Sequence, residues 1–280
     1  MHLTGLRLER SCPILKATPL RRPVLRCAVQ RFPMRRFALV VSLCLMPVAT
    51  LAGGLGEMTT AEKDAFRAEV RQYLLDNPEV IIEAMDVLQS RKADAQQQAD
   101  VDLLRSNADA IFNDPASWVG GNPNGSVTIV EFMDYRCGYC RKAYSEVENL
   151  VKTDGDIRFV VKELPILGDD SLISAKFAIA MRMLHGDEAY KAAHDALIDL
   201  RGAPDAETLG RLATDLGYDA AEVTATMESA DVLAVIQANH DLAGALNITG
   251  TPTFVIDTKM LRGYLPEADM QVIVTQERAS

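Results

Sequence analysis

The spacing of apolar residues changes several times along the chain, and each change predicts a different kind of structure. Residues 53 to about 114 keep a helical period throughout. Thr59 and Glu62 form a capping box, in which each residue's side chain satisfies a backbone donor of the other at a helix start. Phe66, Val70, Tyr73 and Leu74 then make an apolar stripe that predicts a helix ending near Asn77. Pro78 suits the first turn of a second helix, where its missing N–H has no intrahelical partner to lose. That helix carries Ile81, Met85, Leu88, Ala95, Ala99 and Leu103 on one stripe, interrupted by Lys92, with Gln96, Gln97 and Gln98 outside. A stripe so narrow and heptad-like predicts an oligomerising arm, against the alternative of a helix lying on its own domain's core.

Residues 113–115 and 120–125 are rich in Gly, Pro, Asn and Asp and predict a boundary, beyond which strands begin. Val127–Met133 reads as a short apolar strand. Residues 140–151 read as a helix with Tyr144, Val147, Leu150 and Val151 inward, and residues 157–161 as a second strand after an Asp154-Gly155 stop. A strand–helix–strand unit predicts parallel pairing with a right-handed crossover. Residues 171–246 return to helical spacing, punctuated at His185-Gly186, Gly202-Ala203-Pro204 and Gly217, which predicts about five short helices. Strand character comes back at Thr253–Ile256, Asp257-Thr258-Lys259 turns the chain into residues 260–264, and Pro266 opens a last helix to about Gln276. No internal repeat or nucleotide-binding glycine motif interrupts this order.

Charge is spread unevenly over the 280 residues, which hold 29 Lys+Arg and 39 Asp+Glu. Met34-Arg35-Arg36 is a basic start, residues 37–49 are an apolar run of signal length, and Thr50-Leu51-Ala52 offers small residues for cleavage. Residues 1–52 therefore read as a leader cut after Ala52. The run is too short for a membrane span and is broken by Pro47, and Leu43 before Cys44 argues against a lipoprotein signal. Residues 1–33 read as a basic upstream extension, with Met34 a candidate true start. Without the leader, 20 Lys+Arg face 38 Asp+Glu, a formal charge of −18. So acidic a chain has no electrostatic footprint for nucleic acid and is repelled by anionic lipid. The mature chain divides into an N-terminal helical segment, residues 53–114, and a domain at 115–280 with a helical insertion at about 171–246.

Five cysteines are present, but only Cys137 and Cys140 lie beyond the leader, in a Cys-Gly-Tyr-Cys unit after a strand and at a helix start. An exported chain with one close pair points to a dithiol that cycles rather than to a stapled scaffold. At a helix N-terminus the unpaired N–H groups and the helix dipole favour the thiolate, so Cys137 is the expected attacking sulfur. Cys140, one turn on, resolves the mixed disulfide. Half a zinc site is the competing reading, but it needs two more ligands, and His185, His194 and His240 stand singly in the helical insertion as surface or core residues. Glu131 interrupts an apolar strand expected to be covered on both faces, where a buried acid is costly. It either lies beneath the sulfurs and exchanges a proton with Cys140 or sits at the strand's rim. Lys162-Glu163 ends the next strand and reads as a solvated pair. Thr251-Pro252 precedes the Thr253 strand, and by composition alone its bond is expected to be trans.

Phe132 to Cys140, Lys162-Glu163-Leu164-Pro165-Ile166-Leu167-Gly168 and the Thr249 to Phe254 run together resemble the DsbA-like branch of the thioredoxin superfamily. Tyr73 to Val80 resembles the N-terminal helical segment of its ScsC-type members. The element order agrees with an α/β, thioredoxin-like fold carrying an inserted helical subdomain. The resemblance implies a nucleophile at Cys137, a resolving thiol at Cys140, a proton-relay acid at Glu131 and a cis bond between Thr251 and Pro252. It further implies that an extended client strand meets the backbone of Thr251, beside Pro252, Gly138 and Tyr139. Strongly oxidising DsbA members carry a histidine between the cysteines; Gly138 and Tyr139 supply no charge, so Cys137 is expected to be acidic to a lesser degree.

The expected function is an exported, periplasmic thiol:disulfide oxidoreductase, acting as isomerase or reductase on other exported proteins. Its only prosthetic feature would be the redox-active Cys137–Cys140 disulfide. It would be recharged by a redox partner protein in the membrane and would be a homo-oligomer through residues 53–114. The alternatives are a DsbA-type oxidase, or a copper-tolerance protein holding Cu(I) on Cys137 and Cys140, since soft thiolates select that ion.

Overall fold

The structure, a computed structural model, describes residues 58–280. The expected leader and the cysteines within it lie outside the described residues, as do residues 53–57 of the expected helical segment.

Helix α1 spans Thr60–Asp76 and opens on the capping box: the Thr59 N–H and hydroxyl both donate to Glu62 Oε2 at 2.8 Å. Pro78 caps α2, Glu79–Ser106, and a short α3 follows at Ala108–Phe112. The segment is thus three helices broken at Asn77 and Asn107, and residues 113–114 are not helical. Its apolar stripe is bare in the single chain: Phe66, Tyr73, Ile81, Met85 and Leu88 are each about half exposed. The end of α2 behaves differently. Leu104 is buried, and both oxygens of Asp100 take hydrogen bonds from the Arg262 guanidinium at 2.7 and 2.9 Å.

A five-stranded sheet follows, ordered β1-β3-β2-β4-β5. The strands are β1 Trp118–Gly121, β2 Val127–Met133, β3 Ile157–Glu163, β4 Thr253–Ile256 and β5 Lys259–Arg262. β2 and β3 run parallel around α4, Gly138–Asp154, while β1, β4 and β5 join antiparallel. Gly155, at a φ of 69°, ends α4 where the sequence predicts a stop. The turn expected at Gly120-Gly121 is instead the end of β1. Glycine is needed there because a Cβ on Gly120 would run into the Trp118 ring, and one on Gly121 into the Ile157 carbonyl. Pairing with β3, far along the chain, overrides the local turn signal.

Between β3 and β4 lie five helices: α5 Asp169–His185, α6 Asp187–Asp199, α7 Ala206–Asp215, α8 Ala220–Met227 and α9 Ala230–Ala245. α10, Glu267–Arg278, closes the chain. Strand alternation sends Ile129, Met133, Phe159 and Val161 into one core with residues of α4 to α10, and Val130, Phe132, Val160 and Val255 into a second with Leu104, Ile111 and Leu242. The sheet is covered on both faces, and Leu103 and Leu104 of α2 with Ile111 and Phe112 of α3 serve the second core. Among the described residues no helix is long and apolar enough to cross a membrane.

Candidate active site

Cys137 is the N-cap of α4, with extended backbone, and its carbonyl accepts the first helical bond from Arg141 N at 3.1 Å. No acid occupies the first turn of α4 to offset the positive end of the helix. The Cys137 thiol, 7% exposed, lies at 3.1 Å from the Thr251 carbonyl oxygen; Cys140, one turn on, is 1% exposed. The two thiols are unbridged and buried to different depths.

Depth and hydrogen bonding split their acidities. A hydrogen bond from the Cys140 thiol brings the Cys137 pKa down to about 5 against the opposing effect of burial, helped by the Thr251 side chain and the N–H groups of Cys140 and Tyr139. Cys140 moves far the other way: burial, the hydrogen bond it gives to Cys137 and the charge of Glu131 all hold its proton on. One sulfur is charged at neutral pH while the other keeps the proton.

Glu131 lies mid-sheet, paired with Val161 on β3 and Phe254 on β4, and is 5% exposed. The rim position is therefore not the one it takes. Its parity with Ile129 and Met133 turns it to the face that α4 covers. Burial above all pushes its pKa up to about 8, and any negative charge on Glu163, Cys137 or Glu148 acts in the same direction. A carboxyl there can hold or release a proton near neutrality.

The Thr251-Pro252 bond is cis, against the composition-based expectation and in line with the resemblance. Pro252's carbonyl is taken by Gly263 N at 2.9 Å, fixing this loop to the end of the β4–β5 hairpin. Gly138 is exposed with open space around it. Tyr139 is 63% exposed and stacks on Tyr264, with ring centroids 6.2 Å apart. Cys137, Cys140, Glu131, Thr251, Pro252, Gly138 and Tyr139 thus meet at one end of the sheet.

Sequence reasoning missed two groups here. Asp134 is 1% exposed and takes N–H bonds from Arg136, Ile166 and Leu167 at 2.8, 2.9 and 3.1 Å, tying the strand that leads to Cys137 to the loop after β3. Lys162 and Glu163 are not a solvated pair. Both are buried, on opposite faces of β3: Lys162 Nζ donates to Asp114 Oδ2 and Ser117 Oγ, each at 2.8 Å, while Glu163 meets Tyr135 and Tyr190. The signal for Asp134 was an acid inside the cysteine motif itself. Of the histidines, His194 is a core residue, 3.0 Å from the Tyr135 hydroxyl and held neutral by burial, which drops its pKa to about 4; His185 stacks on Tyr218. Among the described residues no group of three or more His, Cys, Asp or Glu could hold a metal ion.

The thioredoxin family model matches residues 113–276, more than half of the chain, and the model for the copper resistance protein ScsC N-terminal domain matches residues 62–95. A thioredoxin-like oxidoreductase from Silicibacter pomeroyi is similar at 38% identity and a TM-score of 0.57, over 61% of this chain and 98% of its own. Proteus mirabilis ScsC, in a compact conformation, is similar at 30% identity and a TM-score of 0.55, over 77% of this chain and 98% of its own. The Na(+)/H(+) antiporter NhaA of Herminiimonas arsenicoxydans is 27% identical over 161 residues, 57% of this chain; the chain spans only 25% of that protein's length. By the family model and the fold, the chain belongs to the thioredoxin superfamily, in its DsbA-like branch with an ScsC-type N-terminal helical segment.

Proposed function

We propose that the protein is an exported, periplasmic thiol:disulfide oxidoreductase that reduces and rearranges disulfides in other exported proteins. The observation that carries this reading is the split of acidity across one helix turn: Cys137 brought down to about 5 beside a Cys140 that keeps its proton. The Cys137 thiolate attacks a client disulfide, forming a mixed disulfide as the client's other sulfur leaves as thiolate. Two exits follow. Another client thiolate can attack the mixed disulfide, giving a rearranged client and restoring Cys137. Alternatively Cys140 passes its proton to ionised Glu131 and attacks Cys137 Sγ, which releases reduced client and leaves a Cys137–Cys140 disulfide. A redox partner protein must then supply two electrons to reduce that disulfide.

Gly138 and Tyr139 supply no charged group between the cysteines, in contrast to the histidine of strongly oxidising members, which supports isomerase or reductase over dedicated oxidase. The bare stripe on α1 and α2 supports joining of several copies, which would hold one client among several thiols. Reactivation of scrambled ribonuclease by the reduced protein tests the reading; reduced ribonuclease that is oxidised rapidly while scrambled enzyme stays inactive would favour an oxidase instead.

A second reading rests on the match of residues 62–95 to a copper resistance protein's domain: Cys137 and Cys140 as a two-coordinate Cu(I) site. Stoichiometric copper uptake by reduced protein that does not turn over disulfides would favour it.

A further inference from the structure

Glu163 is a second buried acid on the face that carries the thiols. In the β2–β3 register it pairs with Met133, two residues beyond Glu131, so both acids project from the same side of the sheet. Glu163 is 3% exposed, and its hydrogen bonds are lopsided: Oε1 accepts from Tyr135 at 2.8 Å and from Tyr190 at 2.5 Å, while buried Oε2 has no partner. Tyr135 spends its one proton on Glu163, so His194, neutral and 3.0 Å away, donates to the Tyr135 hydroxyl from Nδ1. Asn239 of α9 holds the Glu163 backbone carbonyl at 3.1 Å. Asp134 adds a further negative charge nearby, and Arg182 of α5 acts on Tyr190.

Two donors on one oxygen and none on the other is the pattern of a neutral carboxyl, whose carbonyl oxygen accepts twice while the hydroxyl sits on the bare side. An ionised group would leave half its charge unpaired in the core, far costlier than one unmade hydroxyl bond. Burial pushes the Glu163 pKa up to about 8, in the same direction.

We propose that Glu163 is a positioning residue of the exchange site: held protonated on Tyr135 and Tyr190, it keeps a second negative charge off the face shared by Glu131 and the two cysteines, leaving Glu131 as the carboxyl that changes charge during turnover. This rests on the exchange chemistry proposed above. With Glu163 ionised, Glu131 would hold its proton more tightly and accept less readily from Cys140, because the two acids repel.

The test is a carboxyl-carbon NMR titration of the reduced mature protein and of Glu163→Gln, whose amide keeps Oε1 for both phenols and mimics the protonated acid. In the wild type the two acids titrate as a coupled pair with two apparent steps, the Glu163 signal moving in the upper one; in Glu163→Gln, Glu131 titrates once, close to its wild-type lower step, because the neighbour it faces was already uncharged there. A Glu131 midpoint that falls by roughly one pH unit in Glu163→Gln overturns the proposal, since it means that Glu163 was charged while Glu131 titrated. Should the variant not fold, the wild-type Glu163 signal decides: a midpoint above neutrality supports it, and one below neutrality, toward the range of an ordinary carboxylate, overturns it. Ribonuclease reactivation by the same samples reports separately on whether the protein is an exchange enzyme.

Discussion

Lys162 Nζ stands 2.8 Å from Asp114 Oδ2, with the lysine side chain fully buried and the aspartate largely so. Burial lowers the lysine's pKa, and Asp114 offsets this only in part. The pair fastens β3 to the segment after α3, on the face away from the thiols. Asp114→Ala should therefore destabilise the protein by about 3–5 kcal/mol in urea melts, because an uncompensated ammonium stays in the core. Adding Lys162→Met should restore most of that loss. Equal stability of Asp114→Ala and wild type would show that the pair carries no strain of charge.

Cys137→Ser should abolish exchange, whereas Cys140→Ser should accumulate mixed disulfides with client proteins. The expectation follows from the lowered acidity of Cys137, which suits it to attack, and from the loss in Cys140→Ser of the intramolecular exit, which leaves the mixed disulfide to the slower attack of a second client thiolate. Trapping followed by mass spectrometry reads this directly. Equal residual activity in the two variants would sink the assignment.

Thiolate absorbance of the reduced protein should rise with a midpoint near 5 and be missing in Cys137→Ser. Stability should follow. Because folding lowers this pKa from an ordinary 9.0, the thiolate's contribution is complete above pH 9 and is lost as pH falls through about 5. The stability gap between reduced wild type and Cys137→Ser should thus widen from pH 5 to 9. A constant gap across that window contradicts the lowered value.

Glu131→Gln should slow resolution by Cys140 by about a hundredfold at neutral pH while leaving the first attack nearly unchanged. Its stability trend runs opposite to that of Cys137. Folding raises the Glu131 pKa from 4.5 to about 8, so the native state's preference for the protonated acid is lost as pH rises between those values. Wild type should lose ground to Glu131→Gln over that window. Stopped-flow traces with both steps unaltered would reduce Glu131 to a strand residue.

Removing residues 53–95 should leave a folded, redox-active monomer that no longer isomerises. A cut at residue 110 would be too deep, since Asp100 and Leu104 belong to the catalytic body. Native mass of the intact and shortened proteins, with ribonuclease reactivation alongside, checks this. An intact protein that is monomeric, or a shortened one that isomerises equally well, would falsify the arm reading.

What was legible in the sequence was local. β2, β3, the β4–β5 hairpin and the five inserted helices follow from short apolar periods and Gly or Pro punctuation, and the cysteine pair announces its own helix start. β1 was hidden because its glycines serve contacts with Trp118 and with Ile157, partners that a turn signal does not encode. Lys162 and Glu163 misled for the same reason. Their partners Asp114, Tyr135 and Tyr190 lie 27 to 48 residues away, so nothing beside them in sequence marks them as satisfied core groups. The trans bond expected before Pro252 failed because composition records nothing of the surrounding fold, whereas the family pattern does.

The Asp100–Arg262 pair has a mechanical consequence. Arg262 sits opposite Thr253 in the hairpin, and the next residue, Gly263, holds the Pro252 carbonyl beside Thr251. The long helix α2 is therefore tied to the strand that flanks the Thr251-Pro252 loop. A rotation of that helix is passed on through one ion pair and one backbone hydrogen bond to the loop whose Thr251 carbonyl lies 3.1 Å from Cys137 Sγ.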